Sequence, residues 1–152
     1  MTAEDPLDVL ARTWRTEIPI TDAMDLGPVR FDDHGLTVRA DLAPNVNVHG
    51  TAFAGSLYAI AALSGWGLVH LELDAAGLDG SIVIAEGRIE YLRPVQEAIV
   101  AVCATDAEDV RAVRARLVEH GRTRWPLTSV IHAAGREAVR FEGVYAIKLR
   151  DG

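Results

Sequence analysis

The chain has 152 residues, with 22 acidic against 15 basic side chains and a formal net charge of −7. At 49% apolar and 24% charged residues, it has the composition and length of one globular domain with its own core, which excludes a disordered or fibrous protein. The acidic balance argues against a nucleic-acid partner, and a lone cysteine, Cys103, excludes an internal disulfide and a thiolate metal cage.

Met1 to Asp8 lacks the cationic start and apolar stretch of a secretory signal, so a cytoplasmic location is expected. From Leu7 to Glu17 the apolar residues Leu7, Leu10, Ala11 and Trp14 recur at helical spacing, predicting a short helix that covers an edge or an opening. Residues 1–20 thus form a helical extension on a domain spanning 1–152. Met24 to Phe31 and Leu36 to Leu42 read as a hairpin around the turn-rich Asp32-Asp33-His34-Gly35. A polar loop, Ala43 to Gly50, leads to a helix from about Gly55 to Ala76, stopped by Gly77. Ser81 to Leu92 and Ala98 to Ala104 are strand candidates, and Pro94 ends the first. Thr105 to Glu108 fits a capping box that opens an amphipathic helix lined by Val110, Val113 and Leu117 and ended by Gly121. Two last strands, Arg124 to Ala133 and Glu137 to Leu149, meet at Ala134-Gly135-Arg136.

The central helix is the informative element. Phe53 to Val69 contains no Asp, Glu, Lys or Arg. It falls short of the roughly 20 residues that span a bilayer and lacks flanking cations, so no membrane span is expected. A helix apolar all round must instead be wrapped by other structure. The predicted fold class is α+β, a curved antiparallel sheet wrapped around this long helix. Its start, near Ala54-Gly55-Ser56, would present unpaired N–H groups and a positive dipole end to an anion or a carbonyl oxygen.

At Asn47-Val-His-Gly-Thr-Ala-Phe-Ala-Gly-Ser-Leu-Tyr-Ala-Ile-Ala and Ile89-Glu-Tyr-Leu-Arg-Pro-Val95 the sequence resembles the hotdog-fold thioesterases, most closely the thioesterase domain at the C-terminus of YiiD-type proteins. The resemblance runs from about Met24 to Leu149. It implies a hotdog fold, a homodimer or homotetramer joined edge to edge, and active sites at the subunit interface. It further implies an acyl thioester substrate, carried by coenzyme A or an acyl carrier protein, with no cofactor beyond the coenzyme A or phosphopantetheine of that substrate. The family's loop Asn falls on Asn47 and the second Gly of its His-Gly-Gly on Gly55. Phe53 stands where that His would be, Ala54 at the first Gly, and Ala62 at the usual helix carboxylate.

Thioester hydrolysis needs oxyanion donors and a group that orients or deprotonates water. The N–H groups of Gly55 and Ser56 are candidates for the first, although Gly55 also suits close helix packing. Asn47 is a candidate to hold a carbonyl or a water, against an Asx turn, the role expected of Asn45. His49 titrates near neutrality, as a base or a solvated loop residue. Glu86, in an apolar strand, is the candidate replacement for the missing carboxylate, against simple outward solvation with Arg88 and Glu90. Phe53, Tyr58, Ser64 and Arg93 are candidate substrate-binding residues. Ser64 would hold a water unless it bonds its own backbone, and Tyr58 would otherwise belong to the core with Trp66. Arg111, Arg114, Arg116, Arg122 and Arg124 offer cations to coenzyme A phosphates, or a solvated helix face. No metal-ligand spacing links the five histidines, and no nucleophile elbow or phosphate loop occurs. Rival readings are a hotdog dehydratase or hydratase, which pairs a loop His with a helix carboxylate, and a non-catalytic acyl-CoA-binding protein.

Overall fold

The computed structural model describes residues 2–151. Helix α1 (Pro6–Glu17) starts where the Asp5 carboxylate accepts the Leu7 N–H and Pro6 fills the first turn. It sinks Leu10 and Trp14 fully into the core. One further turn, α2 (Ile20–Ala23), is absent from the sequence reading. Asp25, at φ 54, delays strand β1 (Leu26–Asp32) past the expected Met24, and β2 (Gly35–Ala40) completes the hairpin. Beyond a 3-10 turn at Ala43–Asn45 come α3 (Ala54–Ala75), β3 (Gly80–Tyr91) and β4 (Ile99–Ala104). The chain ends with α4 (Ala107–His120), β5 (Arg122–Ala133) and β6 (Arg136–Leu149).

The six strands form one curved antiparallel sheet in the order β1-β2-β4-β5-β6-β3, with α3 packed along it. This is the expected hotdog architecture. At 22 residues α3 is long and apolar enough to cross a membrane, yet ten of its residues are buried inside the protein. Each large aliphatic side chain so buried contributes roughly 1.5–3 kcal/mol. Two glycines in this helix are there for contact. A Cβ at Gly65 would overlap the Tyr145 hydroxyl, and one at Gly67 would press on Trp14 and Leu36. Tyr145 then donates to the Ala62 carbonyl at 2.7 Å, fixing α3 to β6.

The start of α4 differs from expectation by one residue. Asp106, not Thr105, is the N-cap, accepting from the Asp109 N–H at 2.8 Å, while the buried Thr105 hydroxyl has no partner among the described residues. The helix ends as read, with Gly121 at φ 73 returning its N–H to Leu117.

Strand β3 is one of the sheet's two edges, β1 being the other. Its pairing with β6 slips between Ile84 and Glu86, a bulge that reverses the alternation of its side chains. Ile82 and Ile84 pair with the inward Ile147 and Tyr145, whereas Glu86 and Arg88 pair with Val144 and Glu142 on the outer face.

Candidate functional site

The loop entering α3 is organised by two asparagines: Asn47 takes the Asx turn weighed for it, whereas Asn45 does not make the Asx turn expected of it. Asn45 is buried and donates its amide to the carbonyls of Met24 and Asp41, both at 2.8 Å, pinning the loop to the hairpin. Asn47 makes the Asx turn: its Oδ1 accepts from the N–H groups of His49 (2.9 Å) and Thr51 (3.2 Å). Its Nδ2 donates to Thr51 Oγ1 at 2.8 Å and reaches the Ala52 carbonyl at 3.4 Å. Both ends of the Asn47 amide are therefore engaged by its own loop. His49 occupies the exposed tip beside Val48, which is 94% exposed.

This loop delivers the chain into α3 without a cap. Phe53 is the N-cap residue in extended conformation, and no side chain among the described residues hydrogen-bonds the helix start. The first intrahelical bond runs from Leu57 N–H to the Phe53 carbonyl at 3.0 Å, so the N–H groups of Ala54, Gly55 and Ser56 have no acceptors among the described residues. A charge-free first turn places no carboxylate there to compete for the dipole. Ala54 and Gly55 are exposed, and the Phe53 ring, 53% exposed, lies over Gly55, where a Cβ would collide with it. Gly55 thus opens the helix start and makes room for Phe53.

Two tyrosines frame this turn. The Tyr91 hydroxyl, at the end of β3, donates to the Ala54 carbonyl at 3.0 Å. Burial and the nearby Tyr58 phenol both push its pKa up, holding it as a neutral donor. Tyr91 lies inside the quoted strand motif, and only the fold brings it to the helix start. Tyr58 packs edge-on to Phe141 at 5.1 Å, with its hydroxyl against Gly87 of β3.

The remaining candidates are placed elsewhere. Ser64 is fully buried; its hydroxyl lies 2.6 Å from the Ala61 carbonyl and 2.8 Å from the Ser129 hydroxyl, so it braces α3 against β5 and holds no substrate water. Arg93 donates to the Glu137 carbonyl at 3.3 Å, tying the exit of β3 to β6. Glu86 stands on the outer face, 3.7 Å from Arg124 and mostly exposed, and points away from α3. Arg114 binds the Glu72 carboxylate at 2.8 Å, and Arg116 donates to Thr123 at 3.1 Å. Burial raises the Glu72 pKa against the opposing pull of Arg114.

A cavity of about 640 Å³ lies toward the other end of α3, lined in part by Glu17, Trp66, His70, Asp74 and Ile82. His70 stacks on Trp66 with ring centroids 5.2 Å apart and planes 10° from parallel. Trp66 in turn donates to the Ile82 carbonyl of β3 at 3.2 Å.

A family model described as "Putative thioesterase (yiiD_Cterm)" matches residues 7–149. Among solved structures, a putative thioesterase from Shewanella oneidensis is 34% identical with a TM-score of 0.81, the match covering 95% of this chain and 98% of that one. A protein of unknown function from Chlorobaculum tepidum TLS is 29% identical with a TM-score of 0.90, covering 94% of each chain. A probable thioesterase from Pseudomonas aeruginosa, at 20% identity and TM-score 0.81 over 94% and 95% of the two chains, shares the fold.

Proposed function

The chain belongs to the YiiD C-terminal thioesterase family, and from that premise we propose that it hydrolyses an acyl thioester, of coenzyme A or an acyl carrier protein, at the start of α3. The observation that carries this reading is the exposed, uncapped first turn, with the N–H groups of Ala54, Gly55 and Ser56 unpaired. Such donors meet the thioester oxygen as it gains charge, and one of them is worth about 3–4 kcal/mol of barrier. Phe53 and Tyr58 supply apolar surface beside the turn. Asn47 serves by shaping the loop rather than by touching substrate.

The working unit in this reading is a homodimer formed along β3. That strand exposes Val83 (59%) and Ile84 (42%) beside an unpaired backbone edge, an arrangement a second copy would cover.

Release of free thiol, followed with DTNB over a panel of acyl-CoA lengths and acyl carrier proteins, tests the reading. Turnover is expected on at least one acyl class, and background rates on every thioester would refute it. A second reading is favoured by Ala62, which leaves no carboxylate where the resemblance places one: an acyl-ligand sensor would bind acyl-CoA without turnover. Hydration of crotonyl-CoA would instead mark a hydratase.

A further inference from the structure

The hydrolysis proposed above lacks a base, since Ala62 is a methyl group, Glu86 faces outward, and the Asn47 amide is engaged by its own loop. We propose that His70 of one subunit is the general base for the thioester held at the α3 start of the other, an inference that rests on the thioesterase reading.

Two unfinished surfaces share one flank of the subunit. Along α3, Ala59, Ala62 with Leu63, Trp66 and His70 fall on one face at spacings of three or four and are only half-buried. Beside them runs the unpaired edge of β3 with its exposed Val83 and Ile84. The Trp66 indole bonded to the Ile82 carbonyl fixes the two on the same side. A polar partner would leave this stripe and edge unsatisfied, whereas a second copy supplies a matching edge and a matching stripe.

Strand β3 also records what such pairing brings together. Its last residue, Tyr91, holds the start of α3, and its first turn of chain, through Ile82, holds Trp66 and the wall of the His70 cavity. Antiparallel pairing about a twofold axis exchanges these ends. Of the registers that cover Val83 and Ile84, one sets Glu86 opposite the partner's Arg88, and Arg88 opposite the partner's Glu86, on the outer face. In that register Tyr91 stands level with the partner's Val83. The unpaired N–H groups at Ala54 to Ser56 then open toward the partner's Trp66 and His70.

The imidazole is built for the task. Stacking on Trp66 fixes its plane, and its nitrogens hydrogen-bond none of the described residues. Burial lowers its pKa from 6.5. The carboxylates of Asp74, on its own helix, and Glu17, on α1, pull the other way; Asp79, which also lines the cavity, is paired with Arg150. His70 is therefore neutral near pH 7 and able to accept a proton. In the step, the water oxygen bonds to the carbonyl carbon while one of its protons passes to the imidazole. The C–S bond then breaks, and the imidazolium returns that proton to the leaving thiolate, giving acid and thiol.

The test uses the full-length chain in three forms. His70→Asn should lower kcat by about 10²–10⁴-fold with little change in KM, and should abolish the acid limb of the pH–rate profile. Heterodimers isolated with two tags, one chain carrying His70→Asn and the other Gly55→Pro, contain one site whose two halves are native. They should recover about half the wild-type rate per dimer, although each homodimer is inactive. Heterodimers as inactive as the homodimers, a His70→Asn enzyme with undiminished kcat, or a wild-type chain that is monomeric at assay concentration would each overturn the proposal. Wild-type turnover absent on all thioesters would remove the thioesterase reading itself, and this inference with it.

Discussion

Replacing Gly55 with proline removes one N–H from the first turn of α3. No intrahelical hydrogen bond is lost, because the first one is donated by Leu57. The cost to catalysis should be that of one oxyanion donor, about 10²–10³ in kcat. Crowding is the competing effect, since any Cβ at residue 55 displaces the Phe53 ring. Gly55→Ala imposes that crowding and keeps the N–H, so the ratio of the two variants reports the donor, provided the proline variant keeps Ala54, the residue before it, in the helix. The Phe53 ring is half in solvent and free to swing, which predicts a small effect for alanine and the full loss for proline. Thiol-release kinetics supply kcat for each, and circular dichroism with a melting curve confirms that both are folded. A proline variant that turned over as fast as the alanine variant would mean that the Gly55 N–H does not meet the substrate.

Three further outcomes follow from contacts inside the chain. Asn47→Asp keeps the acceptor for the His49 and Thr51 N–H groups and loses the Nδ2 donations to Thr51 Oγ1 and, at 3.4 Å, to the Ala52 carbonyl; most activity should survive, and a loss beyond 100-fold, roughly the scale of a missing catalytic group, would return Asn47 to the chemistry. Ser64→Ala removes the hydrogen bond between the buried Ser64 and Ser129 hydroxyls, leaving Ser129 only the weakly bonding Cys103 thiol, and should cost about 1–3 kcal/mol in urea unfolding. Adding Ser129→Ala should cost less than the sum of the single changes, and strict additivity would contradict the pairing. Because burial holds the His70 pKa below 6.5, the unfolded chain binds its proton first as pH falls. This contribution is nil above 6.5 and destabilises the fold progressively below it; wild type should therefore lose stability relative to His70→Asn on acidification, and parallel stability curves would count against a burial-shifted imidazole.

The sequence made the architecture readable because its strongest signal was physical: a run from Phe53 to Val69 without charge can persist only when something surrounds it. The strands, with β-branched runs bounded by Pro94 and Gly135, and the helix stop at Gly121 were readable for similar local reasons. Side-chain destinations were less so. Asn45 and Asn47 sit two residues apart in one polar loop, and which makes the Asx turn depends on Thr51 and on the distant Met24 carbonyl. The aim of Glu86 is set by a bulge, and no residue type in Ile84-Ala85-Glu86 announces one. Ser64 shows a back-bonded helical serine in sequence, but its partner Ser129 is 65 positions away. Tyr91 and His70 escaped notice for the same reason, each gaining its meaning from a neighbour the chain reaches only after folding.

The unpaired margin of β3 carries a risk as well as an invitation. Exposed strand margins are where chains fuse into fibrils, and Val83-Ile84-Ala85 is the apolar kind of segment that seeds them. Directly after it, the bulge bends the ribbon and Glu86, Arg88 and Glu90 alternate in sign. Stacking copies in parallel alignment would place like charges one above another along the whole fibre. The same few side chains that welcome one mate thus discourage a queue of them.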